Sequence, residues 1–360
     1  MSRSVVAEMT AYTLELLEAE VKLNQNESPF DFPRELKEQA IARVLDRGWN
    51  IYPDFESMGL RNALAKSTGL TVDNILVGNG SNELLAAAAG TFIGPGTPVV
   101  FARPTFALYE KLITIAGGLA LPIDFDPDSG LLPLDRMLDA IAAHDNAVVF
   151  VCSPNNPTGS VLPPGGLDAL LATGAMVLLD QAYVDFENVE DSRPRLSSNL
   201  ETFRTFSKAY GLAGLRVGWL ASTPENCREI RKVKLPYSLN IVSEAIAATA
   251  LENPEVRKRN VSATIAERER VVAAMKRISG ITVFPTRANF VTFRVAPHPA
   301  FGHPLPAARG EGLRVFEELH ARGVLVRNVS SYPRLNNCLR VSIGSREQND
   351  RFLAALKEVV

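Results

Sequence analysis

One lysine stands in a segment whose residue types could both attack a carbonyl group and hold an anion. Residues 202–218 begin as an apolar, strand-like stretch and then change to hydroxyl, lysine, small and arginine residues. Lys208 supplies an amine, and the hydroxyls of Thr205 and Ser207 can donate hydrogen bonds to an anion. Arg216 can hold the same anion with its planar guanidinium. The alternative without a function is a surface lysine beside a salt-bridged arginine.

A ligand that carries an aldehyde and a phosphate would use both parts of this segment, and pyridoxal 5′-phosphate is such a ligand. A second candidate phosphate site is the run Gly-Asn-Gly-Ser-Asn at 78–82, between a predicted strand and a predicted helix. Free N–H groups and the positive end of a helix favour an anion there. The run is not a dinucleotide fingerprint, because Glu83 stands where that motif needs glycine. A tight strand-to-helix turn is the alternative.

A third polar cluster follows another predicted strand. Asp180 ends an apolar run, and a buried carboxylate needs a partner, which the ring nitrogen of pyridoxal phosphate would supply. Tyr183 follows closely and could form a hydrogen bond with the ring hydroxyl. The alternative is an aspartate that caps the next turn or helix.

The elements that must position these residues indicate an α/β fold. From about residue 75 to residue 205, apolar strands alternate with helices, which predicts a mostly parallel sheet covered on both faces. Ligands of such sheets bind at the carboxyl ends of the strands, where the three clusters lie. After about residue 235 the pattern changes to α+β. We predict an N-terminal arm at 1–30, a large domain at 31–235 and a smaller C-terminal domain at 236–360.

Composition narrows the possible partners and the cellular location. The chain has 360 residues, 46% of them apolar and 22% charged, with a formal net charge of −2. Such a balance argues against nucleic acid or a membrane surface as a partner. Three cysteines without CxxC spacing and four scattered histidines predict no disulfide framework and no metal site. Because no signal peptide or membrane span is evident, we expect a cytoplasmic protein.

Taken together, these motifs resemble those of the fold-type I pyridoxal-phosphate aminotransferases, which have the aspartate aminotransferase-like fold. Within that family the chain most resembles the histidinol-phosphate aminotransferases. The resemblance extends over nearly the whole chain and is carried by residues 22–29, 52–53, 80–83, 104–106, 152–159, 180–183, 205–208, 213–218 and 337–344.

The resemblance implies catalytic and cofactor-binding roles. Lys208 would bind the cofactor as a Schiff base and move a proton, while Asp180 pairs with the ring nitrogen and Tyr183 with the ring oxygen. The other residues implied to hold the cofactor are Ser81, Asn82, Phe106, Asn156, Thr205, Ser207 and Arg216. Tyr52 would reach the phosphate bound by the neighbouring subunit, which implies a homodimer with shared active sites.

The resemblance also implies a substrate pocket and a reaction. Arg340 would bind the α-carboxylate of the amino donor, and the other substrate-binding candidates are Tyr12, Asn24, Asn156 and Arg327. The implied reaction converts histidinol phosphate and 2-oxoglutarate to imidazole-acetol phosphate and glutamate, a step of histidine biosynthesis.

Three alternatives remain open at this point. The chain departs from the family pattern at Ser28, Phe30, Phe106 and Gln181, which leaves room for an aromatic or broad amino-acid aminotransferase. A threonine-phosphate decarboxylase, a lyase that releases CO2 and needs no keto acceptor, resembles the same family. The last alternative is a regulator that binds the cofactor without catalysis. Because the cofactor motifs begin close to the start of the sequence, we expect no DNA-binding domain before them.

Overall fold

The computed structural model describes residues 2–11, 17–187, 193–297 and 310–360. Tyr12, one of the predicted substrate-binding residues, lies outside these ranges. Among the described residues, no helix combines the length and the apolar character needed to cross a membrane.

The larger of the sheets has seven strands in the order β2-β8-β7-β6-β5-β3-β4. Its strands are β2 (Ile75–Asn79), β3 (Pro98–Arg103), β4 (Leu119–Asp124), β5 (Val148–Cys152), β6 (Met176–Asp180), β7 (Leu200–Thr205) and β8 (Val217–Ala221). Neighbouring strands from β4 to β7 run parallel, whereas β8 is antiparallel to both β7 and β2. The carboxyl ends of β5, β6 and β7 therefore meet at one edge.

Helices cover both faces of this sheet, because its central strands are apolar on both sides. Val149 and Phe150 are neighbours in β5, yet they pack into separate buried clusters on opposite faces. The α-helices that start before residue 260 are α1 (Ser4–Ala7), α2 (Arg34–Leu45), α3 (Met58–Thr68), α4 (Ser81–Phe92), α5 (Leu108–Ala116), α6 (Leu134–Ala142), α7 (Gly166–Ala172), α8 (Pro224–Val233), α9 (Ile241–Glu252) and α10 (Pro254–Met275).

Local signals in the sequence account for several helix ends. Helix α3 ends at Gly69, whose φ of 74° is readily adopted by glycine. The side chain of Thr223 accepts a hydrogen bond from the N–H of Asn226 and so caps α8. Strand β8 and helix α8 were not predicted, because their sequence directly follows the predicted arginine motif and an antiparallel strand breaks the alternation of strands and helices.

A smaller, antiparallel sheet of four strands lies in the C-terminal part of the chain, in the order β12-β13-β10-β9. Its elements and those around it are β9 (Ile281–Val283), β10 (Phe290–Val295), α11 (Glu311–Ala321), β11 (Val324–Leu325), β12 (Arg327–Asn328), β13 (Cys338–Ser342) and α12 (Arg346–Val359). The sheet packs against α10, α11 and α12 over an apolar core. This agrees with the predicted mostly parallel sheet followed by an α+β region.

The N-terminal segment belongs with this second core. Strand β1 (Val21–Lys22) pairs in parallel with β11, and Val21 and Leu23 are buried in the C-terminal cluster. In contrast, Ala247 and Ala250 of α9 pack with the core of the large region. The domain boundaries at 30 and 235 remain predictions, and this packing leads us to propose that α9 is part of the large domain.

Candidate active site

A cavity of about 520 Å³ opens where the carboxyl ends of β5, β6 and β7 face the smaller sheet. The predicted site residues that line this cavity are Asn24, Ser81, Asn82, Phe106, Asn156, Asp180, Tyr183, Thr205, Ser207, Lys208, Arg216, Arg327 and Arg340. Clusters that are far apart in the sequence are thus adjacent in space, because parallel strands end at the same edge of a sheet.

Lys208 follows β7 and projects into this cavity. Its Nζ donates a hydrogen bond to the carbonyl oxygen of Gln25 at 3.0 Å and lies 5.9 Å from the centre of the Tyr183 ring. Desolvation lowers the pKa of Lys208 to about 7, and the positive charge of Arg340 contributes in the same direction. A substantial fraction of this amine is therefore neutral, and hence nucleophilic, near neutral pH.

The anion-binding end is formed by hydroxyls and one guanidinium. Thr205 Oγ1 and Ser207 Oγ lie 3.0 Å apart, and the backbone N–H of Ser207 also donates to Thr205 Oγ1. Arg216 donates from Nη1 to Ser207 Oγ at 3.4 Å and to the carbonyl oxygen of Ala213 at 3.0 Å. The backbone of Arg216 has a left-handed φ of 55°, which is rare for arginine and aims this side chain at the hydroxyls.

Two glycines allow the first turn of α4 to approach β8 and Arg216. A Cβ on Gly218 would lie 2.1 Å from the backbone nitrogen of Ser81, and one on Gly80 would lie 2.7 Å from Arg216 Nη2. This close approach places the N-terminus of α4, with Ser81 and Asn82, beside the guanidinium. A helix N-terminus and an arginine together form a site suited to a phosphate group.

Asp180 ends β6 and is buried, with 4% of its surface exposed. Its Oδ2 accepts a hydrogen bond from the hydroxyl of Tyr109 at 2.8 Å, and its Oδ1 accepts one from the N–H of Ala182 at 2.9 Å. Burial raises the pKa of Asp180, while the Tyr109 hydrogen bond opposes that shift. A cationic ring nitrogen in the cavity would stabilise this carboxylate in its ionised form.

Tyr183 follows β6 and also lines the cavity. Its hydroxyl oxygen accepts a hydrogen bond from Asn26 Nδ2 at 3.0 Å, and its ring packs edge-on against Phe290. Burial raises the pKa of the Tyr183 hydroxyl, so this group is a neutral hydrogen-bond donor at physiological pH. The hydrogen bond from Asn26 leaves the Tyr183 proton available to an acceptor in the cavity.

Away from these groups, the cavity is lined by two arginines on adjacent strands. Arg340 of β13 lies opposite Arg327 of β12 in the antiparallel register. Arg340 Nη2 donates to the carbonyl oxygen of Asn24 at 2.8 Å, and Nη1 donates to Asn156 Oδ1. The guanidinium also lies 5.3 Å from the centre of the Phe290 ring. This end of the cavity is therefore positive and suits an anionic substrate group.

Tyr52 does not reach the cavity within one chain. It is 77% exposed, and its ring stacks on Tyr237 with 4.7 Å between the centroids. Its predicted contact with the neighbouring subunit's phosphate therefore remains a prediction, as does the role of Tyr12, which lies outside the described residues.

Sequence reasoning missed two residues that orient the predicted ones. Tyr109 contacts Asp180, and Asn26 contacts Tyr183. Asn26 lies within a segment already singled out by its asparagines and has a left-handed φ of 54°, a conformation that asparagine tolerates. Tyr109 carries no such signal, because its position in a helix says nothing about which strand its hydroxyl meets.

Pyridoxal phosphate fits this set of donors and acceptors. The cradle beside Gly80 and Gly218 suits its phosphate, and buried Asp180 suits its ring nitrogen. The amine of Lys208, which is partly neutral near neutral pH, suits its aldehyde.

Comparisons with known proteins agree with this geometry. Residues 18–356 match the family model described as aminotransferase class I and II. The chain is 36% identical to a histidinol-phosphate aminotransferase of Chlorobaculum parvum over 344 residues, which is 94% of this chain and 92% of that protein.

Solved structures with a similar fold include aminotransferases. The fold is similar to that of histidinol-phosphate aminotransferase from Sinorhizobium meliloti in complex with pyridoxal 5′-phosphate, with a TM-score of 0.82 at 26% identity, covering 95% of this chain and 91% of that one. It is also similar to a putative aminotransferase from Burkholderia pseudomallei, with a TM-score of 0.81 at 29% identity, covering 96% and 99%. Since a family model and relatives of this similarity span nearly the whole chain, the protein belongs to the class I and II aminotransferases.

Proposed function

We propose that this enzyme transfers the amino group of histidinol phosphate to 2-oxoglutarate, which yields imidazole-acetol phosphate and glutamate, and that pyridoxal 5′-phosphate is its cofactor. The observation that carries the proposal is one cavity in which a lysine of lowered pKa, a buried aspartate and a pair of arginines face each other. Relatives that carry the name histidinol-phosphate aminotransferase over most of the chain support the same assignment.

In this proposal Lys208 is both the attachment point and the proton carrier. When bound, pyridoxal phosphate withdraws electrons from the carbon that bears the amino group, so that a proton on this carbon becomes acidic. As a neutral amine, the Nζ of Lys208 would accept that proton from the substrate and hold it for later release. Its lowered pKa suits this task, because a base with a pKa near the working pH can both accept and release a proton.

The walls of the cavity would orient the ring for this transfer. Asp180 would hold the ring nitrogen in its protonated state, while Tyr183 and Asn156 form hydrogen bonds with the ring oxygen. Phe106 would stack on the ring. The first turn of α4, with Ser81 and Asn82, would hold the phosphate together with the hydroxyls of β7 and the following loop and with Arg216.

The two arginines explain how one pocket could take two different anionic substrates. Glutamate carries carboxylates, whereas histidinol phosphate carries a phosphate and no carboxylate. Arg340 donates a hydrogen bond to the side-chain amide oxygen of Asn156. Arg327 lies beside Arg340 on the edge strand β12. A pair of guanidiniums can bind either set of anions, with Asn24 and the predicted Tyr12 completing the pocket.

We also propose a homodimer in which Tyr52 serves the partner's site. The exposed ring of Tyr52 stacks on Tyr237, which also packs edge-on against Phe55. Trp49, Ile51 and Leu235 are exposed apolar residues close to these three in the sequence. Contiguous exposed aromatic side chains of this kind are typical of protein–protein interfaces. The three cysteines are buried and free, which is consistent with the cytoplasmic location that we propose.

A transamination assay tests the proposed reaction. Purified protein with glutamate is offered a panel of keto acceptors that includes imidazole-acetol phosphate and aromatic keto acids, and the formation of 2-oxoglutarate is followed. We expect the largest kcat/KM with imidazole-acetol phosphate. Activity with aromatic keto acids alone would replace the substrate assignment, and CO2 release from threonine phosphate without amino transfer would replace the reaction class.

Mixing two inactive variants tests the shared site. If Tyr52 serves the partner, a hybrid of Lys208→Ala and Tyr52→Ala subunits contains one site with both native residues, and activity rises on mixing. If Tyr52 serves its own subunit, neither site of the hybrid is intact and mixing restores nothing. Each variant alone, carried through the same mixing procedure, is the control.

A further inference from the structure

The hydroxyl of Tyr109 makes a contact that the proposed mechanism does not use. Tyr109 lies in α5 and is fully buried, with its ring stacked on Phe150 at 5.0 Å and edge-on to Phe106 at 5.7 Å. The hydroxyl donates to Asp180 Oδ2 at 2.8 Å. Aromatic packing on two sides therefore fixes the ring, and the ring fixes the direction of the hydrogen bond.

The surroundings of Asp180 make this hydrogen bond consequential. The titratable groups near its carboxylate are Tyr109 from α5, Cys152 from β5, Tyr183 after β6 and Lys208 after β7. Of these, Tyr109 and Lys208 favour the ionised carboxylate, and Tyr109 has the larger effect. Without the hydroxyl, Oδ2 would lose a buried partner, and a buried carboxylate that lacks a partner is costly.

We propose that Tyr109 is a positioning residue that holds Asp180 ionised and aimed at the ring nitrogen of the bound cofactor. This inference rests on the proposed function only in that the cofactor is pyridoxal phosphate, and it is independent of the amino substrate. Tyr109 donates to one carboxylate oxygen and the N–H of Ala182 donates to the other, so the plane of the carboxylate is held at both ends. The remaining lone pairs can then accept the ring N–H.

The test compares Tyr109→Phe with a matched control in the holoenzyme and apoprotein. Tyr109→Phe keeps the ring packing and removes only the hydroxyl. Tyr210→Phe removes the hydroxyl of another, partly buried tyrosine, one whose ring packs against Arg257 and which lies outside the cavity. Pyridoxal phosphate affinity of the apoprotein is measured by equilibrium titration, and the ring nitrogen is observed by NMR with ¹⁵N-labelled cofactor.

We expect Tyr109→Phe to weaken cofactor binding about tenfold, as for the loss of one hydrogen bond to a charged group. Its ¹⁵N signal should move toward that of an unprotonated pyridine, because Asp180 without the hydroxyl competes better for the proton. The Tyr210→Phe control should match the wild type in both measurements. Unchanged affinity together with an unchanged ¹⁵N signal in Tyr109→Phe would overturn the proposal.

A second set of variants separates this role from a purely structural one. In an Asp180→Asn background, Tyr109→Phe should cause no further loss of cofactor affinity, because the charge on which the hydroxyl acts is absent. Equal losses in both backgrounds would show that the hydroxyl only supports the fold and would overturn the proposal. Failure of wild-type protein to bind pyridoxal phosphate would instead contradict the cofactor itself, so the two failures are distinguishable.

Discussion

The two ends of the active-site cavity are built in different ways. At the end where we propose that the phosphate binds (the phosphate end), Ser81, Ser207 and Arg216 follow or precede strands β2, β7 and β8, which are consecutive in one sheet. At the end where we propose that the substrate binds (the substrate end), Asn24 meets Arg340 although the two residues are 316 positions apart. These residues come from the N-terminal segment and the smaller sheet, which share a separate apolar core.

This difference predicts how each end responds to change. The phosphate end depends on close contacts of the backbone at Gly80 and Gly218, so it should be rigid and should not tolerate a Cβ at either position. The substrate end depends on how two cores dock, so its side chains should affect substrate binding with little effect on the cofactor. Lys208 lies between the two ends: it donates a hydrogen bond to Gln25 in the N-terminal segment, and the charge of Arg340 lowers its pKa.

Removal of Lys208 should have the largest effect, because it disables both ends at once. Lys208→Ala should lower kcat by a factor of about 10⁴ or more, since the general base and the attachment point are lost together. The visible absorbance of the lysine-linked cofactor should also disappear. Retention of that band after dialysis, in protein whose circular dichroism matches the wild type, would contradict the assignment of Lys208.

The next largest effect should come from Gly218→Ala, which acts on the phosphate end alone. The new Cβ would lie 2.1 Å from the Ser81 nitrogen, so α4 must move away from Arg216. We expect a loss of roughly 1–3 kcal/mol in the free energy of unfolding and a large loss of pyridoxal phosphate affinity. Thermal unfolding of the apoprotein and cofactor titration measure the two effects.

Gly94→Ala is the matched control, because its added Cβ has only Thr97 Oγ1, at 3.9 Å, within 4 Å. The control should unfold and bind cofactor like the wild type. If Gly218→Ala also behaves like the wild type, the phosphate end is not as tightly packed as the structure indicates.

Arg340→Lys should affect the substrate end alone, with a smaller effect. Lysine keeps the positive charge but lacks the planar fork that contacts both Asn24 and Asn156. We expect KM for glutamate to rise about 10- to 100-fold, while pyridoxal phosphate affinity stays close to that of the wild type. Steady-state kinetics and cofactor titration on the same preparation make the comparison.

Arg294→Lys, on the neighbouring strand β10 and outside the cavity, is the control for this change. It should leave KM for glutamate unchanged. A loss of cofactor affinity in Arg340→Lys as large as its rise in KM would show that the two ends are not separable.

The smallest effect should be on the pH dependence of the reaction between Lys208 and the cofactor aldehyde. This pH dependence also reports how the charge at the substrate end influences Lys208. The neutral amine of Lys208 attacks the aldehyde, and its pKa is about 7, so the rate should level off above that pH. Below it, the rate should fall about tenfold for each pH unit, because the protonated amine is unreactive. Stopped-flow absorbance after mixing apoprotein with pyridoxal phosphate measures this profile.

Arg340→Gln should move the midpoint of this profile to higher pH, since it removes a positive charge that lowers the pKa of Lys208. A midpoint near the ordinary lysine value of 10.5 in the wild type would instead mean that Lys208 is not desolvated. An unmoved midpoint in Arg340→Gln would mean that the charge at the substrate end does not reach the lysine.

Which residues line the cavity was largely predictable from sequence, because their placement depends on local rules. A polar residue at the end of an apolar strand or a few residues beyond it, as Asp180 and Lys208 are, must lie at a sheet edge in an α/β fold. The alternation of strands and helices predicted the mostly parallel sheet for the same reason. Strand β8 escaped prediction, because an antiparallel strand that follows a turn motif breaks that alternation.

The partners of these residues depended on the folded chain. No local pattern indicates that the Tyr109 hydroxyl meets Asp180, that Asn26 meets Tyr183, or that the carbonyl of Gln25 meets Lys208. The predicted partner of Tyr52 belongs to another subunit and stays a prediction. The sequence by itself thus determined which strand ends carry reactive groups, because the hydropathy pattern that marks a strand and its end spans only a few neighbouring residues. Which group faces which was decided by tertiary packing: within one core for Tyr109 and Asp180, and between separate apolar cores for the residues of the N-terminal segment.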